Sequence, residues 1–120
     1  MKLLTDALKE LFRKASTLKY PFERKEVPKD FRGRPVWDMK TCIGCGACER
    51  ICPGEAIKME GRRDEATIIY LQHRCLFCGQ CADTCPVDAI SMSEEYELAG
   101  YDTDSMIFYY ENITEEDEEE

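Results

Sequence analysis

No stretch of the 120-residue chain approaches the roughly 20 consecutive apolar residues that a membrane-spanning helix needs, so the sequence reads as soluble or peripheral. The opening Met1-Lys2-Leu3-Leu4-Thr5-Asp6 lacks the apolar core of a secretory leader, and a reducing cytoplasm is the expected setting. Histidine occurs once, at His73, which leaves little from which to build a Ser/His/Asp catalytic set. There is no Walker loop and no G-x-G-x-x-G fingerprint, so phosphate-cradling and dinucleotide chemistry are excluded. Basic residues are absent from 92–120, and the net charge of −9 disfavours nucleic-acid binding. No catalytic site of the chain's own is visible.

Cysteine is what the chain has in excess, and all eight fall in one pattern written twice. Cys42, Cys45, Cys48 and Cys52 precede Pro53; Cys75, Cys78, Cys81 and Cys85 precede Pro86. Both runs read C-x2-C-x2-C-x3-C-P, with an offset of 33 residues, and the match continues into Ala56-Ile57 and Ala89-Ile90. This is the run that ligates [4Fe–4S] clusters in two-cluster bacterial ferredoxins, where the fourth cysteine serves the other cluster. The expected sets are Cys42, Cys45, Cys48 with Cys85, and Cys75, Cys78, Cys81 with Cys52.

The spacing suits that chemistry. Three thiolates at three-residue intervals fit one tight loop around a cubane, and Gly44, Gly46 and Gly79 permit the positive φ such a loop needs. Cys48 and Cys52, at i and i+4, fit a short helix that Pro53 favours ending. Disulfides need an oxidising compartment. Zinc prefers two C-x2-C knuckles with a longer gap between them; here a third cysteine follows at once and a proline closes each run. Eight free buried thiols would not be so regularly spaced. His73, two residues before Cys75, could tune or replace a ligand, but eight cysteines already satisfy two clusters. The expected job is therefore to move single electrons between two cubanes.

The predicted fold is α+β: a duplicated two-cluster ferredoxin-like core with an amphipathic N-terminal helix and extended arms. Over 1–19, Leu4, Leu8, Leu11, Ala15 and Leu18 form an apolar stripe with Phe12 beside it, while Lys2, Asp6, Lys9, Glu10, Arg13 and Lys14 fill the other face. The stripe either folds back or, as favoured here, docks on another subunit or a membrane interface. Residues 20–35 read as an extended basic arm, either a loose linker or a strap on a partner surface, with Tyr20, Phe22, Val27 and Phe31 as apolar points. The core, 36–92, should hold strands near Val36–Met39, Ile57–Met59, Thr67–Leu71 and Ile90–Met92, helices starting at Ala47 and Gln80, and a turn over 60–64. Ile43, Ile51, Ile57, Leu76, Phe77 and Ile90 should wall off the clusters. In the C-terminal extension, 93–112, Asp104 could cap a helix over 105–111. Residues 113–120 are expected to be a disordered acidic tail. Residues 1–40 carry 11 basic and 6 acidic side chains and 92–120 carry 12 acidic ones, an asymmetry that suggests different neighbours for the two ends.

The flanks carry a more specific likeness. An amphipathic helix precedes Tyr20-Pro21 and Phe31-Arg32-Gly33-Arg34-Pro35, and Glu95-Tyr96-Glu97-Leu98-Ala99 follows the second run. This arrangement resembles the two-cluster subunit of respiratory complex I and of the membrane-bound, energy-converting [NiFe] hydrogenases, over roughly residues 1–110. The insert from Pro53 to Arg74 is short, 22 residues, and Tyr70-Leu71-Gln72-His73-Arg74-Cys75 is similar to the hydrogenase branch. The resemblance implies an electron-relay subunit on the cytoplasmic side of the membrane, peripheral to it. Its partners would be a small cluster-bearing subunit, a catalytic large subunit and soluble ferredoxin as donor. The equivalent subunit of complex I or of a sulfur-reducing relative, and a free ferredoxin, are the alternatives.

Overall fold

A computed structural model describes residues 2–111, and Asp64 by its backbone alone; the acidic run at 113–120 lies outside the described residues. The chain runs α1 (Lys2–Leu11), β1 (Pro35–Trp37), α2 (Ala47–Ile51), β2 (Ile57–Glu60), β3 (Thr67–Leu71), α3 (Gln80–Asp83), β4 (Ile90–Met92) and β5 (Ile107–Tyr110). Single 3₁₀ turns occupy Arg63–Glu65, Gln72–Arg74 and Asp104–Met106.

Two antiparallel sheets carry the core. β1 pairs with β4, placing Trp37 opposite Ile90. β3 is the middle strand of the other sheet, with Ile57 of β2 and Phe108 of β5 both opposite Tyr70. Alternation along β3 sends Ile68 and Tyr70 fully inward while Ile69 and Leu71 are half-buried. Trp37 lies between Tyr70 and Tyr110, with ring centres 5.3 and 5.1 Å away, and Phe108 adds a contact to Tyr70 at 6.1 Å. These rings join the two sheets, and each buried aromatic contributes on the order of 2–3 kcal/mol.

Three expectations need correction. The segment 105–111 is not a helix. After one 3₁₀ turn it extends as β5, because Ile107, Phe108, Tyr109 and Tyr110 are β-formers and the free edge of β3 offers them a partner. The N-terminal helix closes at Leu11 rather than continuing to 18. It packs on none of the described residues: Leu3, Leu4, Leu8 and Leu11 are all exposed, and a helix this short with no packed face has little to extend it. The arm, finally, lies against its own chain. The Tyr20 hydroxyl and Arg24 both reach Glu97, Arg34 pairs with Glu95 at 3.1 Å and stacks on Phe108, and Gly33 donates its N–H to Ser93 O at 2.9 Å.

Candidate metal centre

The two cysteine runs fold alike. In each, a glycine in the left-handed region (Gly46, φ 68°; Gly79, φ 79°) turns the loop into a short helix, α2 or α3. A side chain at either position would be strained, so the turn depends on glycine. Asp38 sets the entry to the first loop. Its carboxylate accepts from the Lys40 N–H at 3.1 Å and the Thr41 hydroxyl at 2.7 Å, and its carbonyl accepts from the Cys42 N–H at 3.0 Å. The Thr41 hydroxyl, then the Lys40 amide, hold that carboxyl below its ordinary pKa.

These turns bring the cysteines together as two sets of four. One cavity is lined by Cys42, Cys45, Cys48 and Cys85 and closed by Trp37, Met59 and Ile90. The other is lined by Cys75, Cys78, Cys81 and Cys52 and closed by Ala56, Ile57 and Phe77. Each cavity therefore takes three cysteines from one run and the last cysteine of the other. Ile57 and Ile90 are buried as expected of a water-excluding wall. Ile43, Ile51 and Leu76 are not: they are 51%, 41% and 66% exposed, and Ile51 lines neither cavity. Ile43 and Leu76 each follow the first cysteine of a run, and their apolar surface is left uncovered by the described residues. A larger groove, about 470 Å³ in volume, runs between Arg24, Arg34 and residues 94–100, but no cysteine lines it.

The donor set fits a cluster at each cavity. All eight cysteines are free, with no disulfide among them. Among the described residues no three His, Cys, Asp or Glu side chains converge on a single-ion site. Backbone N–H groups of Ala56, Phe77 and Ala89 already point at the sulfurs of Cys52, Cys75 and Cys85, each at 3.3 Å. Such bonds strengthen when the sulfur is a metal-bound thiolate. Two further buried donors, Trp37 Nε1 and Tyr70 Oη, have no hydrogen-bond partner among the described residues. Leaving one unsatisfied costs about 1–3 kcal/mol. The Trp37 N–H lies close enough to Cys48 to favour its thiolate, although no hydrogen bond closes, and Tyr70 faces Cys75. Burial pushes the Cys48 thiol up and the Cys81 thiol up to about 11. A bound cation is what would deprotonate them.

Two guanidinium groups complete the surroundings: Arg50 donates to Cys45 O at 3.3 Å and Arg32 to Cys78 O at 3.1 Å. His73 is exposed in the turn before Cys75 and lines neither cavity. Sequence reasoning passed over Arg32, Trp37, Asp38 and Tyr70. The Asp38-x-x-Thr41 turn signature immediately before Cys42 was the available signal for one of them.

Comparison with known proteins agrees with this chemistry. The chain is 39% identical to NADH-quinone oxidoreductase subunit I of Protochlamydia amoebophila over 132 aligned residues, 96% of this chain and 84% of that protein. The chain belongs to the subunit I family. A match to the 4Fe-4S dicluster domain family spans residues 41–89 and so takes in every cysteine. Two other likenesses are shorter. Subunit I of Carboxydothermus hydrogenoformans is 37% identical over 65 residues, 54% of this chain and 46% of that protein. Formate hydrogenlyase subunit 6 of Escherichia coli is 44% identical over 45 residues, 38% of this chain and 25% of that protein. Among solved structures, a chain of the archaeal membrane-bound sulfane sulfur reductase, a respiratory membrane complex, superposes with a TM-score of 0.66 at 33% identity. That match covers 84% of this chain and 56% of the other. The subunit I family member described here is thus a ferredoxin-like 4Fe-4S domain of helices and antiparallel sheets, and none of its described helices is long and apolar enough to cross a membrane.

Proposed function

We propose that this chain holds two [4Fe–4S] clusters in a duplicated ferredoxin-like core and relays electrons within a ferredoxin-linked, membrane-bound [NiFe] hydrogenase-type complex. The observation that carries the relay is the pair of four-cysteine cavities, each built from both runs. Bound clusters supply one-electron exchange. Cys42, Cys45, Cys48 and Cys85 would hold one and Cys75, Cys78, Cys81 and Cys52 the other. The chain's own part is to fix the eight sulfurs, to offer them the N–H groups of Ala56, Phe77 and Ala89, and to keep water from their inner sides with Trp37, Ile57 and Ile90.

Membership of a larger complex is supported by the exposed Leu4, Leu8 and Leu11 on one face of α1, and by exposed Ile43 and Leu76 beside the cavities. Other subunits or the membrane interface would cover these surfaces, on the cytoplasmic side. Soluble ferredoxin is the proposed donor, and a small cluster-bearing subunit and a catalytic large subunit are the proposed neighbours. The likeness to formate hydrogenlyase subunit 6 and the short 22-residue insert favour the hydrogenase branch. The long match to a complex I subunit favours the equivalent place in complex I as the second reading.

The test is the native complex purified through a tag on this chain and assayed with reduced ferredoxin. Hydrogen evolution that disappears when the chain is removed is the expected result. Full-rate evolution without the chain would end the relay role. Reduction of quinone or polysulfide alone would keep the relay and move it to a sister branch.

A further inference from the structure

The two runs match at every cysteine but differ in charge at two positions, Glu49 against Ala82 and Arg50 against Asp83. Arg50, in α2, is offset by 33 residues from Asp83, in α3. Arg50 donates to the carbonyl of Cys45 and lies over Gly46, where a Cβ would sit 3.4 Å from its terminal nitrogen. Asp83 can do neither for the second loop. Yet the equivalent carbonyl, Cys78 O, does receive a guanidinium N–H, at 3.1 Å, from Arg32. The Arg32 side chain lies over the equivalent glycine, Gly79, where a Cβ would meet its Nε at 3.5 Å and its Cδ at 3.6 Å. Equivalent carbonyls and glycines are thus served by arginines from unrelated places in the chain.

We infer that Arg32 of the arm is the second loop's substitute for Arg50, and that it raises the reduction potential of the cluster held by Cys75, Cys78, Cys81 and Cys52. Reduction adds negative charge, and a fixed guanidinium beside the loop stabilises the reduced form. The arm is built to hold it there. Gly33 donates to Ser93 O at 2.9 Å, and a Cβ at Gly33 would lie 2.4 Å from Ser93 O and 2.5 Å from Glu95 O, so only glycine allows that approach. Arg34, one residue on, is tied to Glu95. Arg32 is thereby a positioning residue whose charge reaches the second loop only while the arm is docked. The inference rests on the two-cluster reading above.

The test is an electron paramagnetic resonance redox titration of the full chain reconstituted with iron and sulfide. Cys45→Ala and Cys78→Ala backgrounds each leave one cluster to observe. About eight irons in the unaltered chain establishes the two-cluster reading separately. In the Cys45→Ala background, Arg32→Gln should lower the reduced-to-oxidised ratio at fixed poise about threefold, about 30 mV at 59 mV per decade. The shift should shrink as salt is raised, because Arg32 is exposed. Arg32→Lys should restore most of it. In the Cys78→Ala background Arg32→Gln should do nothing, whereas Arg50→Gln should act there and not in the other. Gly33→Ala, which lifts the arm, should reproduce the Arg32→Gln shift and serves as the test if Arg32→Gln loses iron. No shift from either arm variant, or equal shifts in both backgrounds, overturns the inference.

Discussion

If each cavity is one ligation unit, cysteine substitutions should combine in a way that sequence distance does not suggest. Cys45 and Cys85 are 40 residues apart but line one cavity; Cys78 and Cys85 are 7 apart but line different ones. Each cluster carries four irons, so the unaltered chain should bind about eight. Cys85→Ala alone should cost the cluster that Cys42, Cys45 and Cys48 share, leaving about four. Adding Cys45→Ala should then cost nothing more, because both changes strike the same unit; additivity fails for residues that act together. Adding Cys78→Ala instead should strip the second cluster and leave about none. The expected contrast between the two double variants is about four irons against zero, well beyond the error of an iron assay with acid-labile sulfide measured alongside. The reverse pattern, with Cys45→Ala/Cys85→Ala empty and Cys78→Ala/Cys85→Ala half-loaded, would refute the crossed sets and assign each run its own cluster.

Two further outcomes are expected. Phe108→Ala should destabilise the chain by about 2–3 kcal/mol in urea unfolding: roughly half the cost of truncating a fully buried phenylalanine, since Phe108 is half-buried, plus the Arg34 stacking contact; a change below about 0.5 kcal/mol would mean that β5 contributes nothing to the core. Replacing Leu4, Leu8 and Leu11 together by serine should release the chain from a membrane complex while leaving its cluster spectra intact, and retention in the membrane fraction would show that the stripe is not the attachment.

How much was legible follows from what fixed each element. Strands and helices inside 36–92 were read nearly to the residue, because cysteine spacing, Pro53 and Pro86 and the glycines at 46 and 79 dictate local geometry. β1 starts one residue early, at Pro35, and ends at Trp37, two residues short of the expected Met39, while β2 runs one residue longer, to Glu60. β5 was missed because its cause is non-local: the open edge of β3 decides the conformation of Ile107–Tyr110, and an Asp104 cap signal read alone points to helix. The arm was misjudged for the same reason. Its prolines and charges say extended, but only Glu95 and Glu97, more than 60 residues on, say where it lies. At the site, the cysteines announce themselves by spacing. Arg32 does not, since its partner is a backbone carbonyl that any residue would supply.

The crossed cavities have a consequence for the chain's continuity. The turn over Gly61–Glu65 is the one covalent tie between the first run and the second. With the proposed ligation, Cys85 belongs to metal gripped by the first run and Cys52 to metal gripped by the second. The two halves are then riveted to each other at two places besides the peptide backbone. A break in that turn would leave both pieces in register, held by shared metal as well as by the β1–β4 and β2–β3 pairings, whereas removal of iron would leave only the strand pairing and the aromatic contacts between them. In that sense the metal, alongside the strand pairing, would make one body of the two halves.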